Sequence, residues 1–140
     1  MVTEEEITRN LTLLEYYKEQ LGNLEMQQQY LQAAFLDYQK AKITLENLGK
    51  TKGKQEILMP VGSGVFITGQ AQDASKVLID IGAGLVAEKP VNEAVDKIDD
   101  RIGQVQQNQQ KLYEAMQKLQ AEAEQLSEKT QQMMAEAQRQ

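Results

Sequence analysis

Apolar residues recur with a period of seven over the first third of the chain and again over the last third. Between these stretches the pattern changes to short apolar runs broken by glycine. In the first stretch two interleaved series carry the repeat. One is Ile7, Leu14, Leu21, Gln28, Phe35 and Lys42, and the other is Asn10, Tyr17, Leu24, Leu31, Tyr38 and Leu45. Nine of these twelve positions are apolar, which predicts a coiled-coil seam rather than the broader stripe of a globular-domain helix. Thr3 followed by Glu6 is a capping-box signature for the start, and Gly49 after Leu48 is a stop signal. The first helix is therefore expected over 3–48.

The last stretch keeps a stricter alternation of four and three. Val95, Ile98, Ile102, Val105, Gln109, Leu112, Met116, Leu119, Ala123, Leu126, Thr130, Met133 and Ala137 form its seam, within a second helix expected over 90–140. Each helix should reach on the order of 65 Å at 1.5 Å per residue. If the middle segment folds the chain back, the seams face each other antiparallel. Pairing Leu48 with Val91 then sets Gln28 near Gln109, a candidate buried amide layer that would fix the register.

The middle, 49–89, holds the linker and four expected strands. Seven of the nine glycines and both prolines lie between positions 49 and 90, so the chain divides there into helix, β segment and helix. Glu56–Val61 and Val65–Gln70 flank Gly62-Ser63-Gly64, while Lys76–Ile81 and Gly84–Lys89 flank Gly82-Ala83. Both are signatures of tight hairpins. A two-stranded hairpin on its own is marginal in water. Ile57, Met59, Val61, Val65, Ile67, Val77, Ile79 and Ile81 therefore need a surface to pack on. With the helices committed to each other, other chains supply it, and these residues are the candidate assembly surface. The fold class is α+β, mainly α, as a single domain over 1–140.

Composition narrows the function. The chain has no Cys and no His and a net charge of −6. Thiol and imidazole catalysis, disulfides and structural zinc are thereby excluded, and nucleic acid is a poor match. No metal or cofactor is expected. The acidic start, Met1 to Ile7, lacks the layout of a signal peptide, and no apolar run approaches a membrane span. A cytoplasmic protein with no membrane partner is the expectation.

Two motifs invite chemical readings. Gly82-Ala83-Gly84-Leu85-Val86-Ala87 loosely fits a dinucleotide fingerprint, but Pro90 and the strand-like residues before it leave no room for the helix that such a site needs. Asp96, Asp99 and Asp100 cluster early in the last helix, where acid complements the helix dipole and otherwise faces water. Lys50, Lys52 and Lys54 form a small basic group in the linker. No enzymatic activity is expected.

The free ends of the helices carry more. Ile7, Leu11 and Leu14 lie near one terminus, and Leu126, Met133 and Met134 near the other; an antiparallel pair brings these ends together. Leu11 and Met134 fall outside the seams, and Met suits adaptable contacts with many partners.

At this point the layout resembles the α-type subunit of prefoldin, the archaeal and eukaryotic co-chaperone of group II chaperonins. The resemblance rests on Leu58-Met59-Pro60-Val61-Gly62-Ser63-Gly64-Val65-Phe66, on Val77-Leu78-Ile79-Asp80-Ile81-Gly82-Ala83-Gly84, and on Val86-Ala87-Glu88-Lys89. It implies a hetero-hexamer of two α-type and four β-type subunits whose hairpins pool into a β-barrel platform. It further implies an ATP-independent holdase that captures unfolded proteins with its coiled-coil tips and delivers them to a group II chaperonin. Carried onto this sequence, the tip residues would be Ile7, Leu11, Leu14, Met133 and Met134. The alternative from the same layout is a self-assembling coiled-coil scaffold, filament or adaptor without client transfer.

Overall fold

The structure, a computed structural model, describes residues 3–51 and 53–139. Met1, Val2, Lys52 and Gln140, on which parts of the N-terminal, linker and second-helix readings fell, lie outside the described residues. The elements follow in the order α1 (Glu4–Gly49), β1 (Gln55–Gly62), β2 (Val65–Ala71), β3 (Lys76–Gly82), β4 (Leu85–Pro90) and α2 (Val91–Arg139). Thr3 caps α1, its hydroxyl oxygen accepting the Glu6 amide at 3.2 Å, which satisfies one of the orphan donors of the first turn.

By its contacts the chain forms two compact units, Met1–Ala34 with Val105–Gln140, and Phe35–Gln104. The first is a helix pair. Asn10 Nδ2 meets Met133 Sδ at 3.5 Å and Gln109 Nε2 meets Gln32 Oε1 at 3.2 Å, so the helices run antiparallel. Val105, Leu112 and Thr130 of α2 are its buried positions, and none of the described residues of α1 is fully buried. Two helices alone can cover only a seam, which leaves most of each surface wet. Thr130, 1% exposed, turns its hydroxyl back onto the Leu126 carbonyl at 2.7 Å, which makes a buried polar residue tolerable.

The second unit adds the hairpins to a helix pair. Lys42 Nζ reaches Asp99 Oδ1 at 2.7 Å, and Gly49 lies against the Val91 side chain, again in antiparallel order. β1 pairs with β2 and β3 with β4, each as a separate antiparallel two-stranded sheet. The hairpins close alike. Ser63 (φ 49°) and Gly64 (φ 77°) form the first loop, and Ala83 (φ 54°) and Gly84 (φ 75°) the second. Positive φ at both loop residues gives the turn twist that matches the strands. Gly62 (φ 120°) and Gly82 (φ 108°) precede these loops where each register shifts, a conformation that only glycine adopts without strain.

Ser75 joins the second hairpin to α2. Its carbonyl accepts the Val91 amide at 3.0 Å, while Asp73 Oδ1 accepts the Ser75 amide at 2.9 Å. Pro90 ends β4, paired with Lys76. It stands where a side-chain cap would be expected, and the Ser75 carbonyl takes that role for Val91.

Two register readings change. The core of the second unit is built by Ala94 and Ile98, with Val91 also buried, while Val95 is only half-buried. The amide layer is not buried: Gln109 pairs with Gln32, one turn from Gln28, and Gln28 and Gln32 are exposed. A heptad period fixes which face is apolar but leaves the axial register free by about a turn.

Candidate assembly and client-holding surfaces

The two hairpins differ in what lies beneath them. In β3, Val77 and Ile79 point to the helices. Ile79, 8% exposed, forms a buried cluster with Ala94 and Ile98, against which Tyr38, Leu45, Val77 and Ile102 also pack. The Arg101 guanidinium donates to the Asp80 carbonyl, and Asp80 Oδ1 accepts the Gly82 amide at 2.7 Å. The second hairpin is thus held by both packing and hydrogen bonds. This corrects the expectation that the helices have nothing to offer the hairpins: Ile79 and, in part, Val77 are covered by the chain's own helices, and of the β3 residues assigned to assembly only Ile81 is exposed.

The first hairpin has no such floor. Ile57, Met59 and Ile67 share one face through the pairing of Ile57 with Gly69 and Met59 with Ile67. All three are exposed, as are Val61 and Val65 near the turn. A methyl group at Gly69 would stand 2.7 Å from Met59 Cε, so glycine there gives Met59 room to lie across the sheet.

The opposite faces hold residues the sequence reading passed over. Leu58 (68% exposed) and Phe66 (55%) lie on the first hairpin, and Leu78 (74%) and Val86 on the second. A signal for them existed. Ile57-Leu58-Met59, Val65-Phe66-Ile67 and Val77-Leu78-Ile79 are continuous apolar runs rather than alternations, and such runs belong to strands covered on both faces. Each fully buried aliphatic side chain contributes about 1.5–3 kcal/mol. A surface of this kind is large for a lone chain and ordinary for an interface.

In the helix-pair unit the predicted end residues fall into two groups. Ile7, Leu14 and Met133 are half-buried along the seam. Leu11 (44% exposed) and Met134 (41%) face solvent. Further along α1, Met26, Tyr30, Leu36 and Ile43 are exposed as well. An open groove of about 840 Å³ lies between the helices, lined by Gln28, Gln32, Gln106, Gln109, Gln110 and Tyr113 among others.

Asp99 faces solvent and also holds Lys42 across the helix pair. The hydrogen bond and charge of Asp99 raise the Lys42 pKa above its ordinary value. The Ser75 side chain and amide lower that of Asp73. Lys50 and Lys54 are exposed. Among the described residues no group of three or more His, Cys, Asp or Glu could hold a metal ion, and no helix is long and apolar enough to cross a membrane.

Long paired helices carrying two hairpins with uncovered apolar faces define a coiled-coil subunit of a larger assembly. Comparison with known proteins makes this specific. Residues 17–136 match the family model described as "Prefoldin subunit", and the chain belongs to the prefoldin family. It is 30% identical over 118 residues to the prefoldin subunit alpha of Archaeoglobus fulgidus, covering 84% of this chain and 86% of that one. The prefoldin subunit alpha of Methanosarcina barkeri is 32% identical over 103 residues, 69% of each chain. Among solved structures, a chain of filamentous PFD from Methanocaldococcus jannaschii superposes with a TM-score of 0.71 at 25% identity, covering 82% of this chain and 95% of that one. The prefoldin beta subunit from Thermococcus strain KS-1 shares the fold, with a TM-score of 0.61 at 17% identity over 94% of each chain. Prefoldins are chaperones and not a family of enzymes, and this chain is a chaperone subunit.

Proposed function

We propose that the chain is an α-type prefoldin subunit that works in a hetero-hexamer of two α-type and four β-type chains. The assembly holds unfolded proteins without ATP and delivers them to a group II chaperonin, in the cytoplasm and with no catalytic step of its own. The observation that carries this reading is the first hairpin, whose apolar side chains on both faces lie open in the single chain. Pooling such hairpins with those of β-type chains buries the faces and pairs the free strand edges in one step.

Client holding is assigned to Ile7, Leu11, Leu14, Met133 and Met134, supported by the exposure of Leu11 and Met134. One such side chain contributes at most about 1.5–3 kcal/mol, too little to retain a client alone. Several coiled-coil ends around one client gain by effective concentration, and each still lets go singly.

A second reading has a specific observation behind it, the similarity to a chain of filamentous PFD. Light scattering of this chain alone, and then with a β-type subunit, separates the two. A discrete hexamer formed only in the mixture supports the chaperone assembly; growing polymers of the chain alone support the filament.

A further inference from the structure

The two hairpins share their turn and the glycines around it, yet only one has a floor. β3–β4 is fixed by Ile79 in its cluster with Ala94 and Ile98, by the Arg101 contact to the Asp80 carbonyl, and by the Ser75 carbonyl on the Val91 amide. Its last strand also runs directly into α2. β1–β2 has none of these. Its apolar residues from Ile57 to Ile67 are all exposed, and no side-chain hydrogen bond among the described residues reaches it from a helix.

An isolated two-stranded hairpin is marginal in water, while one packed on a helix is stable. Regions with few buried apolar contacts open at low free energy. We infer that the second hairpin is folded in the lone chain, whereas the first becomes stably folded only on assembly, when a hairpin of a β-type prefoldin chain covers it. This rests on the assembly reading above and adds an order to it. The second hairpin offers a preformed template, and the first is an adaptable clasp whose ordering lowers affinity per area but lets it adjust to its partner.

Hydrogen exchange read by mass spectrometry tests the inference, first on the full chain at a concentration where light scattering reports single chains, then in complex with a β-type subunit. In the chain alone, amides of 76–90 should exchange about 100-fold more slowly than those of 55–71. In the complex, 55–71 should slow by a similar factor while 76–90 changes much less. Arg101→Ala should speed exchange of 76–90 in the lone chain and leave 55–71 as it was. Equal protection of the two hairpins in the lone chain would overturn the inference, as would a first hairpin that stays fast in a formed complex. Failure to form any complex is a separate result, and it removes the assembly reading on which the inference stands.

Discussion

Ile79 of the second hairpin and Ile98 of the second helix share one small buried cluster, while Met59, in the matching position of the first hairpin, is exposed. Two strands of similar sequence thus serve different ends, one inward to the chain's own helices and the other outward.

Ile79→Ala should therefore destabilise the lone chain by about 2–4 kcal/mol, the usual cost of emptying a buried aliphatic site. Leu58→Ser should change the stability of the lone chain by about 0.5 kcal/mol or less and weaken assembly instead. Urea denaturation of the chain and light scattering of the mixture read the two effects separately.

The turns make a paired prediction. Gly82 sits at φ 108° with open space around it, so Gly82→Ala meets strain rather than a clash. It should destabilise the second hairpin by about 1–2 kcal/mol. Ala83, at φ 54°, already bears a side chain in the left-handed region, so Ala83→Gly should be neutral or stabilise by up to about 1 kcal/mol. Thermal denaturation of both variants checks the opposite signs.

Two groups set the expected pH response. Asp99 raises the pKa of Lys42 above 10.5, so their contact contributes fully below that value and is lost as pH rises through the raised pKa. Ser75 lowers the pKa of Asp73 below 3.8, so that contribution is present above this value and lost as pH falls through the lowered one. Lys42 is half-buried and Asp73 exposed, both still open to solvent screening, and each effect is small. Melting followed by circular dichroism should show an alkaline decline that is reduced in Asp99→Asn and an acid decline that is reduced in Ser75→Ala.

The glutamine-lined groove marks an unfilled stretch of the seam. Replacing Gln28 and Gln109 together with Leu should raise the melting temperature by a few degrees without changing assembly size. A fall in stability, or a new oligomer, would show that the amides specify pairing after all.

Much of the fold was legible from the chain. The heptad series located both helices, and the glycine pattern located all four strands to within about a residue at each end. The axial register was legible to about a residue, Gly49 rather than Leu48 lying against Val91, but a period of seven residues names a face and not a partner; hence Gln32, and not Gln28, bonds Gln109. The inward turn of Ile79 was not legible. Val77-Leu78-Ile79 and Ile57-Leu58-Met59 are equivalent by pattern. What separates them is the direct run of β4 into α2 and the small Ala94 that receives Ile79. For the holding surface, the place of Leu11 and Met134 outside the seams pointed to their exposure, and both are exposed.

The most direct test of the account is a holding assay on the assembled complex with Leu11→Ser and Met134→Ser combined in this chain. A denatured client is diluted into buffer without ATP, and its aggregation is followed by light scattering. The account predicts that the variant still assembles at the same size yet suppresses aggregation far less than the unmodified complex. Unchanged suppression by a fully assembled variant would contradict the assignment of client holding to these helix ends.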